Sequence, residues 1–354
     1  MNQGDEAFSA VTRLVELRRE VGSRRVSELF ELGTSSLFGF GGARRVDCIS
    51  LDDWGNASDW FLIGDIHGDF FALANGIAHV FQNPNARLIF LGDLVDRGPL
   101  PLDCLWLLLT TAIRFPRRVL WLAGNHDIGF THEADGTFRS GVYPAEFLDE
   151  LNLNDSMAPS RRDIGRYFIE LANRLPRAAL APDGTLFTHG GFPLADRHGA
   201  ARSLDSVEKK FEWLNSPDCL QDFSWTRITR YRSKIPNRMS AGCSYGFDDF
   251  AAFCNLTADF FPAVRLVTGH EHPAEGFDHH RDWKSHRALT LTGFGFNANN
   301  YDHPDAFTTS YRERLYVGRC RENDLPELMP LEVDKADLQR FFDAELVSRF
   351  DQAI

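Results

Sequence analysis

GDIHGDF, residues 64–70, ends the apolar run Trp60–Ile63 with an aspartate and a histidine two positions apart. Neither side chain packs well in a hydrophobic core, so the pair at the tip of a buried strand needs a chemical reason. The same figure returns twice. RLIFLGDLVDRG (87–98) and VLWLAGNHD (119–127) each close a short apolar run with Gly-Asp or Gly-Asn. GTLFTHGG (184–191) and VRLVTGHEH (264–272) repeat it with histidine at the tip.

Short apolar runs bounded by glycine predict buried strands. Helical spacing over Phe70–Phe81 and Leu102–Phe115 fills the gaps between the first three, giving the strand-helix alternation of α/β layering. The tips then gather along one edge. ALTLTGFGF (288–296) and RLYVG (314–318) follow with fewer helices and predict a second, more mixed sheet.

With 354 residues, 43% hydrophobic and 25% charged, the chain has the make-up of an ordinary globular protein large enough for a substantial core. A net charge of −12 argues against broad nucleic-acid binding, which calls for a basic surface. The six cysteines lack CxxC spacing and read as free thiols of a reducing compartment, hence a cytoplasmic protein. The N-terminus has acids and arginines where a secretory signal needs an apolar stretch. CLWLLLTTAI (104–113) is too short to span a bilayer and reads as a core helix, so no membrane span is expected.

Collected, the strand tips offer Asp65, His67, Asp93, Asn125, His189 and His270, with Asp96, Arg97 and His126 beside them. This oxygen and nitrogen set suits a first-row divalent ion such as Mn, Fe or Zn. Six such groups exceed what one tetrahedral ion needs, and a carboxylate can bridge two ions, so two metals are the natural reading.

The ordered motifs GDIHGDF, GDLVDRG, GNHD, THGG and TGHEH resemble the signature of the calcineurin-like metallophosphoesterases, most closely the phosphoprotein phosphatase (PPP) branch. The resemblance implies an α+β fold of two mixed β-sheets packed as a sandwich and flanked by helices. It implies that Asp65, His67 and a bridging Asp93 hold one metal, and that Asp93, Asn125, His189 and His270 hold the other. It also implies phosphomonoester hydrolysis by a metal-bridging hydroxide, with phosphoproteins as substrates. Manganese is the expected metal in vitro, with iron or zinc as alternatives.

His126 is then the acid for the leaving alkoxide, Asp96 orients it, and Arg97 offers a planar fork to the phosphate. A second arginine is sought in DFSWTRITRYRSKIPNRMSAGCSYG (222–246); Arg238 is chosen, with Arg230 and Arg232 as rivals. His272 is left out, because on a turn it need not share the face of His270.

Three features depart from the branch: Asp127 where glutamate is usual, Phe294 and Phe296 where the wall normally carries a tyrosine, and the segment 128–160. They keep open a diadenosine tetraphosphate-type dinucleoside polyphosphate hydrolase and, from another class, a metal-binding interaction module without turnover. The expected organisation is a helical N-terminal extension over 1–50, serving as a docking element for a partner, a catalytic domain over 51–330, and a C-terminal helix over 331–354 packed on it.

Overall fold

The computed structural model describes residues 26–39, 41–42, 44–55, 60–152, 161–236, 241–283, 287–296, 310–336 and 338–339. After the helix Val26–Ser36 the chain forms β1 (Val46–Cys48), then β2 (Trp60–Ile63), β3 (Arg87–Phe90) and β4 (Val119–Trp121), with helices Phe70–Val80 and Pro101–Arg114 as crossovers. A hairpin, β5 (Phe130–His132) and β6 (Phe138–Ser140), precedes helices Glu146–Asn152 and Arg161–Arg174. Next come β7 (Ala178–Leu180) and β8 (Thr185–Thr188), three helices ending in Pro217–Trp225, and the small strands β9 (Arg227–Ile228), β10 (Ile235–Pro236) and β11 (Cys243–Tyr245). Helix Phe247–Thr257 leads to β12 (Arg265–Thr268), β13 (Phe277–Asp278), β14 (Arg287–Leu291), β15 (Arg314–Arg319) and β16 (Glu327–Glu332).

Two sheets carry the fold. The first has the order β16-β15-β2-β3-β4 and the second β1-β7-β8-β12-β14-β13, both mixing parallel and antiparallel pairs. Strand periodicity explains the layers. Leu62, Ile89 and Leu120 alternate with Phe61, Ile63, Leu88, Phe90, Val119 and Trp121. The former meet Phe187, Val267, Leu289 and Leu291 of the second sheet in one buried cluster, while the latter pack with the helices Phe70–Val80, Pro101–Arg114 and Arg161–Arg174. Strands buried on both faces need no polar alternation, which is why their sequences read as unbroken apolar runs.

The helix Val26–Ser36 is docked: Phe30 is buried against the rings of Trp106 and Tyr167, 5.7 and 5.4 Å away. Within the same expected helical extension, Val46–Cys48 is a strand of the second sheet, in register with Ala178–Leu180. Between helix and strand the chain is anchored too, since Phe38 is buried and its N–H donates to the Val119 carbonyl. At the other end, residues 331 and 332 finish the edge strand β16, whose exposed position tolerates Pro330. Leu338 is buried in the helix-covered core. Residues 1–25 and most of the expected C-terminal helix lie outside the described residues.

Candidate metal centre

The carboxyl ends of β2, β3, β4, β8 and β12 converge, so each motif delivers its polar tip to one place. The backbone there is strained. His67, Asp93, Asp96, Arg97 and His270 all have φ between 48° and 68°, the left-handed region that side chains with a Cβ occupy at a cost of about 1–3 kcal/mol each. That cost is sustained by a dense set of hydrogen bonds. Two motif glycines have a simple reason: a Cβ at Gly124 would overlap the Asp93 carboxylate, and one at Gly269 would overlap that of Asp65.

Asp65, His67, Asp93, His126, His189 and His270 are all buried, as is Asn125. His67 and His189 each direct Nδ1 at a main-chain carbonyl, that of Val95 at 2.9 Å and that of Leu91 at 3.0 Å. These contacts orient each ring with Nε2 facing the centre. For His67 the donated proton fixes the tautomer that keeps the Nε2 lone pair there, whereas for His189 burial is outweighed by Asp93 and Asp65, which raise it to about 9. His189 Nε2 lies 3.2 Å from Asp93 Oδ2 and 3.1 Å from both Asn125 Oδ1 and His270 Nδ1. His67 Nε2 lies 3.6 Å from the same Asp93 oxygen, so this carboxylate stands between the two halves of the cluster.

Metal fits this donor set. The buried Nε2 atoms of His67, His270 and His272 have no hydrogen-bond partner, a costly state for isolated imidazoles and the expected one for ligands. Three groups have donor atoms within 4.8 Å of one another: Asp65, His67 and His272; His67, Asp93 and His126; Asp93, His189 and His270. Burial drives the protonated forms of His67 and His270 well below the usual imidazole range, leaving neutral donors. Burial disfavours the Asp93 carboxylate, but the charge and hydrogen bond of His189 above all hold its pKa well below the ordinary value.

Sequence reading excluded His272, and the structure brings it in. The chain turns at His270, yet the His272 ring comes back over the site, with Nε2 3.5 Å from Asp65 Oδ2. Phe294 packs beside it, its centroid 5.0 Å from that of His272 and 5.5 Å from that of His67. The signal was present in the second histidine of TGHEH.

Beside the metal cluster, His126 Nδ1 donates to Asp96 Oδ2 over 2.6 Å, and the His126 N–H donates to Asp93 Oδ1 over 2.8 Å. The pair is thus tied to Asp93, which stands between the two halves of the cluster. Asp127 accepts from the N–H groups of Asp93, Leu94 and Gly124, fastening the second motif to the third. Burial, with the Asp93 charge adding to it, pushes the Asp127 carboxyl up to about 6.

Asp69 caps the helix Phe70–Val80 through the Ala72 N–H and accepts from the Gly295 N–H and the Tyr311 hydroxyl. The aromatic wall is therefore Phe294 stacked on Phe296, with Tyr311 committed to Asp69.

Among the loop arginines, Arg238 lies outside the described residues. Arg232 is exposed and paired with Asp248, while Arg230 lines a surface pocket of about 320 Å³ with Phe277, His279 and Trp283. Arg227 was not among the candidates. Its Nη1 reaches the His270 carbonyl at 3.3 Å and Glu271 Oε1 at 3.2 Å, which puts a cation against the ligand loop.

Residues 61–274 match the family model described as calcineurin-like phosphoesterase. The serine/threonine-protein phosphatase C23G10.1 of Caenorhabditis elegans is 27% identical over 221 residues, 61% of this chain and 44% of that one. The serine/threonine-protein phosphatase PP2A-like PPG1 of Candida albicans is 28% identical over 247 residues, 68% of this chain and 51% of that one. The chain spans about half the length of the curated relatives it matches. A protein serine/threonine phosphatase from Saccharomyces cerevisiae, described as similar to human phosphatase PP5, has the same fold. Its TM-score is 0.54 at 15% identity, covering 94% of this chain and 91% of that one.

Proposed function

The chain belongs to the calcineurin-like phosphoesterase family, and from that premise we propose that it is a binuclear-metal phosphatase of phosphomonoesters, acting on phosphoproteins. The observation that carries the reading is the His126–Asp96 pair, held at 2.6 Å against the cluster of ligand groups. A metal-binding module has no use for a buried, oriented acid, whereas an alkoxide leaving group must be protonated.

Asp65, His67 and Asp93 hold one ion, joined by His272, and Asp93, Asn125, His189 and His270 hold the other; manganese, iron and zinc all suit these donors. When bound, two divalent ions supply an activated water nucleophile and neutralise phosphate charge. The protein's own groups do the rest. Asp96 keeps the His126 imidazole in the tautomer that can pass a proton to the departing oxygen. Arg97 places a planar fork on two phosphate oxygens. We assign the second phosphate-binding arginine to Arg227, with Arg238 as the competing assignment that substitution decides.

The similarity to serine/threonine phosphatases supports phosphoprotein substrates. No helix of the described residues is long and apolar enough to cross a membrane, and all six cysteines are free thiols, which supports a cytoplasmic location. A partner-docking role for the N-terminal segment stays part of the proposal.

The test is turnover, with manganese added, on phosphoserine, phosphothreonine and phosphotyrosine peptides beside diadenosine tetraphosphate. Faster turnover of a phosphopeptide upholds the reading. Preference for the dinucleotide replaces it with the polyphosphate hydrolase, and no turnover of any substrate leaves the binding module.

A further inference from the structure

Asp96 and Arg97 are adjacent non-glycine residues, both with φ of 67°. Aspartate tolerates that conformation but arginine does not favour it, and two such residues in succession call for support from outside the turn. Two consecutive residues of a distant segment do so. Glu146 Oε2 accepts the Arg97 N–H over 2.9 Å, and the Phe147 N–H donates to Asp96 Oδ1 over 3.0 Å.

The holder is itself packed into the core. Phe147 is fully buried, with its ring 5.6 Å from Phe130 and 5.2 Å from Phe168, centroid to centroid. Phe130 belongs to the hairpin β5–β6 and Phe168 to the helix Arg161–Arg174. The segment that departs from the family pattern is therefore the buttress of the turn carrying both the acid's partner and the phosphate fork. Its two contacts divide the work. The Phe147 N–H bonds to Asp96 and through it supports His126, whereas Glu146 bonds to the Arg97 N–H and touches Asp96 only through its charge, which helps burial raise that carboxyl. A carboxylate is suited to this task because a buried N–H outside regular structure needs an acceptor, and a charged one bonds more strongly than an amide oxygen.

We infer that Glu146 is a positioning residue, fixing the backbone from which Arg97 reaches the phosphate; the inference rests on the reading of Arg97 as a phosphate binder. The experiment uses the full chain, 4-nitrophenyl phosphate as substrate and inorganic phosphate as competitive inhibitor. Glu146→Ala is expected to lower kcat/KM by about tenfold, chiefly through KM, and to weaken phosphate inhibition by a similar factor. Glu146→Gln keeps an acceptor oxygen and is expected to restore both to within about threefold.

In an Arg97→Ala background, Glu146→Ala should add less than about twofold, since residues acting through one group are not additive. Two outcomes overturn the inference: Glu146→Ala within about twofold of the parent protein, or an equal cost with and without Arg97. If Glu146→Ala does not fold, Glu146→Asp, which retracts the same carboxylate by one methylene, must show the KM and phosphate effects instead. Arg97→Ala with unaltered phosphate inhibition would remove the phosphate-binding reading and the inference together. An impaired Arg97→Ala beside a silent Glu146→Ala would remove the inference alone.

Discussion

The floor of the site and its rim are built on opposite terms. The floor consists of buried strand tips: Asp65, His67, Asp93, Asn125, His189 and His270 are all nearly inaccessible, and several sit in strained backbone locked by main-chain hydrogen bonds. The rim consists of surface loops, where Arg232 pairs with Asp248 in solvent and Arg227 rests on Glu271 half-buried. Charge on the floor is held in place before any substrate arrives, so altering it should abolish chemistry. Charge on the rim is screened and adjustable, so altering it should shift affinity.

The sharpest way to break this contrast is at its centre. Asp93→Asn is expected to reduce turnover by about 10³-fold or more, with loss of bound manganese per chain, because this carboxylate belongs to two of the three donor groups. Full activity in that variant, or after exhaustive chelation, would end the binuclear reading. Next in size, His126→Asn should cost about 10² to 10⁴-fold on a phosphoserine peptide. The loss should be smaller on 4-nitrophenyl phosphate, whose leaving group is already a weak base, with metal content retained. Equal losses on both substrates would give His126 some other role.

His272→Ala sharpens the comparison, because His272 sits on a loop yet belongs with the floor. Its removal should weaken metal binding by about 10 to 100-fold in a manganese titration, a loss of the size seen when a group supporting a metal site is removed. Unchanged binding would return it to the rim. For Arg227→Ala the expectation is about a tenfold drop in kcat/KM, partly recovered by lysine and less than additive with Arg97→Ala. Arg230→Ala and Arg232→Ala should stay within about twofold, as exposed ion pairs contribute little. A larger loss at Arg238 than at Arg227 would move the clamp further along the loop.

The same contrast governs what could be read from sequence. Strand tips announce themselves because a polar residue closing an apolar run stands where packing alone would place another apolar one, and β2, β3, β4, β8, β12, β14 and β15 all lie where their apolar runs predict. β1 escaped notice because its strand character comes from a pairing partner far along the chain, Ala178–Leu180, and β16 because its sequence ELMPLE carries a proline and only an edge pairing with the preceding strand Arg314–Arg319. His272 was missed because a turn with φ of 68° at His270 breaks the alternation that would have placed it. Arg227 was overlooked amid neighbouring arginines. Nothing in local sequence distinguishes the one that β9 leaves beside the His270 carbonyl from those carried into solvent. Glu146 carried no signal at all, since its partner is the backbone N–H of a residue 49 positions earlier.

The pairing of β15 with β2 has a consequence for how the protein is made. Leu62 finds its neighbour in Gly318, about 250 residues later in the chain. At synthesis rates of about 5–20 residues per second, β2 waits roughly 13–50 s on the ribosome with one edge open. That edge is a stretch of apolar side chains beside unpaired main-chain groups, the template on which another nascent chain would add a strand. The interval before the C-terminal strands emerge is therefore the period of greatest exposure to aggregation, and a chaperone that covers Trp60–Ile63 during it would raise the yield of native protein without touching the finished fold.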